Sequence, residues 1–149
     1  LLYEDASARV ALTGNRLTSG DMAGRRQKEF QENKRKSTRQ TGAAYERAAG
    51  YYLEKQGCEV LEYNYRCRAG EIDLIAKDGE YLVFCEVKYR SDGRKGSPLE
   101  AVSTGKQRTI FRCAMFYLSE NHIEDMPCRF DVIGIEGTKV THIKNAFAG

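Results

Sequence analysis

A chain of 149 residues, 41% of them hydrophobic and with a formal net charge of +3, is long enough for one hydrophobic core and short for two. Its five cysteines, Cys58, Cys67, Cys85, Cys113 and Cys128, are odd in number and form no CxxC spacing. That speaks against a disulfide frame or a zinc site and for small core residues in a reducing, cytoplasmic setting. No run approaches the roughly 18–20 apolar residues of a membrane span. No Walker loop, dinucleotide fingerprint or Ser/His/Asp set is present either, so nucleotide hydrolysis and nicotinamide chemistry find no support.

The charge is uneven. Residues 1–40 hold nine Lys and Arg against five Asp and Glu, which leaves residues 41–149 at a net −1. The stretch RRQKEFQENKRKSTRQ has too few aliphatic side chains to offset ordering entropy. Residues 1–40 are therefore expected to be a mobile basic arm, either a solvated leader or a sequence-blind contact to phosphate backbone, and residues 41–149 the folded domain. From Thr41, TGAAYERAAGYYLEKQG predicts a helix in which Ala44, Ala48, Tyr51 and Tyr52 recur at helical spacing, with Glu46, Gly50 and Leu53 on another stripe and Gly57 as C-terminal cap.

A strand, CEVLEYNYR, follows. Two alternating runs then flank Asp78-Gly79, a strong hairpin signal. With those two as the loop residues, Glu71 opposes Glu86 and Asp73 opposes Phe84. Period-two alternation puts Glu71, Asp73, Ile75, Leu82, Glu86 and Lys88 on one face and Ile72, Leu74, Val83, Cys85 and Val87 on the other. After the Gly-rich basic loop SDGRKG, capping patterns at Ser97-Pro98-Leu99-Glu100 and Thr104-Gly105-Lys106-Gln107 predict a short helix and then a longer one to about Asn121. CRFDVIGIE and VTHIKNAF flank Gly137-Thr138 as a second hairpin. Helix, three strands, helix, two strands implies an α/β fold with a mixed central sheet flanked by helices.

Carboxylates opposed in a sheet persist when a cation or a Lys neutralises them, and hard oxygen ligands favour Mg2+ or Mn2+. Asp73, Glu86 and Lys88 thus form a usable set for metal-assisted phosphodiester hydrolysis: two carboxylates for the ion, one ammonium for water or developing charge. A solvated, ion-paired sheet face is the bland alternative, against which Ile75 and Leu82 suggest a covered one. Arg90, Arg94 and Lys95 lie after the strand, where a substrate backbone would pass. Arg66 and Arg68 suit phosphate, or an ion pair with Glu71, and Lys106 opens the later helix with Arg108 and Arg112. His122 and His142 lack an evident partner and read as structural, and Asp131 reads as polar sheet structure, with a supporting role beside the site as the open alternative.

GEIDLIA, the 12 residues between Asp73 and Glu86, and EVK resemble the PD-(D/E)XK motif of restriction-endonuclease-like nucleases. More narrowly, ERAAGYYLEKQGCEVLEYNYRCRAGEIDLIAKDGEYLVFCEVKYR, SPLEAVSTGKQRTI and the closing RFDVI and HIKNAF together resemble the bacterial YraN family over about residues 41–147. The resemblance implies a restriction-endonuclease-like core acting on DNA, structured or junction DNA included, with Asp73 and Glu86 as ligands of Mg2+ or Mn2+ and Lys88 as the catalytic lysine. It also implies Glu46 as a further acidic group and ligand entering from the first helix. Gln107 resembles the helical glutamine of some exonuclease relatives, with Phe111 where that pattern has Tyr, and Ile72 stands at the superfamily's nominal Pro. The expectation is a metal-dependent nuclease. Its rival is a nucleic-acid-binding protein that keeps the fold without turnover.

Overall fold

The computed structural model describes residues 19–91 and 96–148, so Arg94 and Lys95 lie outside the described residues, as does most of the first half of the basic arm. The chain divides into two units, Leu1–Gln40 and Thr41–Gly149. The elements are α1 (Ser19–Lys55), β1 (Glu59–Cys67), β2 (Gly70–Asp78), β3 (Tyr81–Arg90), a 3-10 turn (Pro98–Ala101), α2 (Thr104–Glu120), β4 (Cys128–Glu136) and β5 (Lys139–Ile143). No helix among the described residues is long and apolar enough to cross a membrane.

The first helix begins at Ser19 rather than at Thr41. Lys, Arg, Gln and Glu are good helix formers even where nothing packs on them, and residues 22–41 are exposed throughout. Within the second unit, the apolar stripe also differs from the expected one. Ala49, Gly50 and Leu53 are buried with Tyr45, Glu46 and Tyr52 at their margin, whereas Ala44, Ala48 and Tyr51 face solvent. Small side chains decide this: a Cβ on Gly50 would run into the Tyr63 ring, so only glycine lets β1 come this close. The helix ends as predicted, with Gly57 in a left-handed conformation (φ +91°) and the Cys58 amide donating to the Leu53 carbonyl at 2.9 Å.

The sheet runs in chain order, β1-β2-β3-β4-β5. All neighbours are antiparallel except β3 and β4, which are parallel and joined through the 3-10 turn and α2. Ser97 caps the turn by accepting from the Leu99 amide (3.3 Å), and Ser103, rather than Thr104, caps α2 by accepting from the Lys106 amide (3.1 Å). Helices cover both faces. On one, Ile110, Cys113, Ala114 and Tyr117 of α2 pack with Ile75, Leu82, Phe84 and Val132; on the other, Ala49 and Leu53 of α1 pack with Leu74, Val83, Cys85 and Ile133. This mixed α/β arrangement is compatible with the restriction-endonuclease-like fold, and the five cysteines are free thiols.

The β2–β3 register corrects the sequence reading. Asp78 pairs with Tyr81, so the loop residues are Gly79-Glu80, and Ile75 rather than Asp73 faces Phe84. Glu71 therefore does not oppose Glu86. Gly79 takes φ +58°, which glycine adopts without steric cost. The slip is by two residues, and a shift of two by itself moves no side chain to the other face. The second hairpin turns at Gly137-Thr138 as expected, with Glu136 opposite Lys139.

Candidate active site

The β2–β3 ladder stops at Leu74 and Cys85. Beyond it the strands part, and in the gap Asp73 Oδ2 accepts from the Val87 amide at 2.9 Å. A side chain has taken over a ladder bond. Beside it on β3, Glu86 alternates with Val87 of the α1-side core, so its carboxylate points toward the α2 side. Lys88, two residues on, shares that face, with Nζ 3.5 Å from Glu86 Oε1. The three residues singled out by the motif therefore gather at one point of the sheet.

Two defects in alternation build this point. Asn64 sits in β1 at φ +53°, an uncommon conformation that Asn tolerates better than most residues. Tyr63 before it packs with the α1-side core and Tyr65 after it with the α2-side core. Their partners on β2 are Leu74 and Ile72, respectively, so Ile72 lies on the face opposite to Leu74 rather than beside it, and the inversion flanks Asp73. Asn64 also donates through Nδ2 to Glu46 Oε2 at 2.7 Å, drawing the α1 carboxylate toward the same place. The Tyr-Asn-Tyr step in the middle of a strand was the only sign of this residue in the sequence.

Burial makes the carboxylates interact. Asp73 is 8% exposed and Glu86 4%. Burial, then the neighbouring Asp73 charge, pushes the Glu86 carboxyl up to about 7 against the opposing pull of Lys106 and Lys88. Asp73 is also raised, again by burial first, although the Val87 amide works against it. Glu86 Oε2 is buried without any donor, and its carboxylate neighbour can only accept. Such a pair needs a proton or a cation between its oxygens. Glu46 is raised as well, by burial ahead of Asp73 and Glu71 and despite its bond from Asn64.

The oxygens fit a hard divalent cation, since Mg2+ is commonly held by one or two carboxylates and completes its shell with water and substrate phosphate. Asp73 and Glu86 are the residues that would hold it. Among the described residues no three His, Cys, Asp or Glu side chains close into one metal-ion group, so Glu46 stands beside the pair rather than completing it.

The remaining candidates divide. Lys106, in the first turn of α2, is near enough to act on both carboxylates. Gln107 donates to the Val102 carbonyl at 3.1 Å, securing the entry to α2. Arg66 pairs with Glu71 at 3.4 Å on the surface, Arg68 lies 4.9 Å over the Phe116 ring, and Arg90 braces the following loop through the Gly96 and Ser97 carbonyls at 3.1 Å each. His142, expected to have no partner, has one. Its Nε2 lies 2.7 Å from Asp131 Oδ2, and Asp131, fully buried, also accepts from Arg129 and the Asn145 amide. Burial alone would raise the Asp131 carboxyl, but these donors hold it below its ordinary value. The cluster is on the α1 side, away from Glu86, and ties β4 to β5.

The model of the family described as "Uncharacterised protein family UPF0102" matches residues 45–135, a span that contains Glu46, Asn64, Asp73, Glu86, Lys88 and Lys106. A UPF0102 protein of Lachnoclostridium phytofermentans is 49% identical over 107 residues, 71% of this chain and 91% of the relative. One of Syntrophus aciditrophicus is 44% identical over 111 residues (72% and 87%), and one of Chlorobium chlorochromatii 46% over 121 (74% and 93%). The chain belongs to the UPF0102 family, the YraN-like family of the PD-(D/E)XK nuclease superfamily.

Proposed function

We propose that the protein is a metal-dependent nuclease that hydrolyses phosphodiester bonds in DNA. The observation that carries this reading is the buried Asp73–Glu86 pair with the donorless Glu86 Oε2 and Lys88 at 3.5 Å. A sheet gains nothing by holding such a pair without a ligand. When bound, Mg2+ or Mn2+ supplies Lewis acidity at the phosphoryl oxygen and a more acidic water.

The chain's own residues do the rest. Asp73, fixed by the Val87 amide, and Glu86 present hard oxygens at a rigid place in the sheet. Lys88, with a partly exposed side chain (32%), meets the negative charge that develops on the attacked phosphate. Lys106 adds a second cation from α2, and Glu46, oriented by Asn64 and with its carboxyl raised by burial, adds an acid group within the site.

Incubation with a panel of labelled DNA forms (single strands, flaps, junctions and blunt duplex), with and without Mn2+, tests the reading. Cleavage that needs the ion and vanishes in Glu86→Ala supports it. DNA binding with no cleavage of any form favours the rival, a binding protein with a retired site.

A further inference from the structure

Tyr45 of α1 and Tyr89 of β3 lie ring on ring, with centroids 4.3 Å apart and planes 6° from parallel. Tyr89 lies beyond the buried run 82–87 of its strand and is 41% exposed. Most other aromatic pairs, such as Phe84 with Phe130 and Tyr65 with Tyr117, lie inside the α2-side core. The Tyr45–Tyr89 stack instead reaches solvent, and its position is specific. Tyr45 directly precedes Glu46 and Tyr89 directly follows Lys88. Along β3, Tyr89 is three residues from Glu86, about 10 Å at strand spacing or about three base steps of a duplex strand, and it projects with Tyr45 to the α1 side, the side from which Glu46 approaches Asp73.

We infer that this stack is a platform for an unpaired nucleobase of the strand being cut, and that substrates with unpaired bases (single strands, flaps, frayed ends) are the class the site takes. The inference rests on the nuclease reading for its location. Each ring of a parallel pair keeps one outer π-face, and a base offers a matching face whatever its sequence. Inside a duplex both faces of each base are covered by neighbours, so only an unpaired or terminal base can continue the stack.

The chain contains no tryptophan, which makes the test direct. In full-length Tyr89→Trp the new indole is the sole Trp and sits on the platform; Tyr51→Trp, at an exposed position of α1, is the control. In EDTA, so that nothing is cut, a single-stranded oligonucleotide should quench the Tyr89→Trp emission saturably, whereas the same strand with abasic residues and a covalently closed duplex circle, which has neither ends nor unpaired bases, should not. The control should stay bright. In parallel, Tyr89→Ala should bind the single strand about 5- to 100-fold more weakly, the range for losing one base stack, with abasic-strand binding unchanged. Quenching by the abasic strand to the same depth, no quenching, or unchanged affinity in Tyr89→Ala would overturn the platform. Should Tyr89→Trp prove misfolded by circular dichroism, Tyr45→Trp serves the same readout. Cleavage assayed separately keeps the two ideas apart: Mn2+-dependent cutting with a bright indole sinks the platform alone, and quenching without cutting sinks the nuclease reading alone.

Discussion

Replacing Glu86 with Gln keeps the volume of the side chain and removes the charge that its surroundings resist. Folding raises the Glu86 carboxyl from 4.5 to about 7, and at 1.36 kcal/mol per pH unit this makes ionisation in the folded chain about 3 kcal/mol harder than in the unfolded one. A carboxyl raised in this way stabilises the fold while it keeps its proton. That contribution is complete below about 4.5 and is lost as pH climbs through 7. The metal-free wild type should therefore lose about 3 kcal/mol through this pair between acid and mildly alkaline pH, and Glu86→Gln should lose little of it. In thermal unfolding with EDTA the variant is expected to melt on the order of 10 °C higher near pH 8, the gap closing toward pH 5. Mn2+ near pH 8 should raise the wild-type Tm and leave the variant where it was. Equal melting of the two proteins near pH 8, or a shift with Mn2+ that is as large in the variant, would refute the claim that Glu86 carries this strain.

Lys88→Met should lower single-turnover cleavage about 100- to 1,000-fold, the usual loss when one charge-stabilising donor is removed, with the Tm little changed; an unaltered rate would take Lys88 out of the chemistry. Asp131→Ala leaves the Arg129 guanidinium with Asp78 alone and takes the carboxylate from His142 and the Asn145 amide, and should cost about 1.5–3 kcal/mol in urea unfolding. A loss under 1 kcal/mol would mean that the cluster is incidental. Because the Asp131 pKa is lowered, its contribution should be present above the ordinary value of 3.8 and be lost as pH falls below it. Deleting residues 1–40 should flatten the salt dependence of DNA binding by about 0.9 in log–log slope for each phosphate contact removed, measured by titration at several salt concentrations, and superimposable slopes would make the basic arm a passive leader.

Much of the second unit was legible because its signals are local. Gly57, Ser97-Pro98 and the Gly137-Thr138 turn each have a backbone reason to be where they are, and β4 begins and ends with CRFDVIGIE. The face shared by Glu86 and Lys88 survived a wrong register because the error was even. What failed was not local. Asp78 looked like a loop residue, yet Arg129 holds it at 2.8 Å from a strand 51 positions away, and with that bond it pairs with Tyr81 in the ladder. The buried stripe of α1 was misassigned because alanines and tyrosines fit either side of a helix by hydrophobicity; Tyr63, in another element, decides which side needs the glycine. Asn64 and the partner of His142 depend on chain crossings that no spacing encodes. Gln107 carried a family expectation, but its amide is engaged by a carbonyl five residues back.

The inversion around Asn64 and Asp73 sets stability against use. A residue that returned β1 to ordinary extended backbone at position 64, or an apolar one at 73, would heal the sheet and erase the candidate site in the same step. Variants selected for heat resistance alone should therefore drift toward such changes at these positions, whereas variants selected for turnover should keep the flaw and accumulate their compensations elsewhere in the two cores.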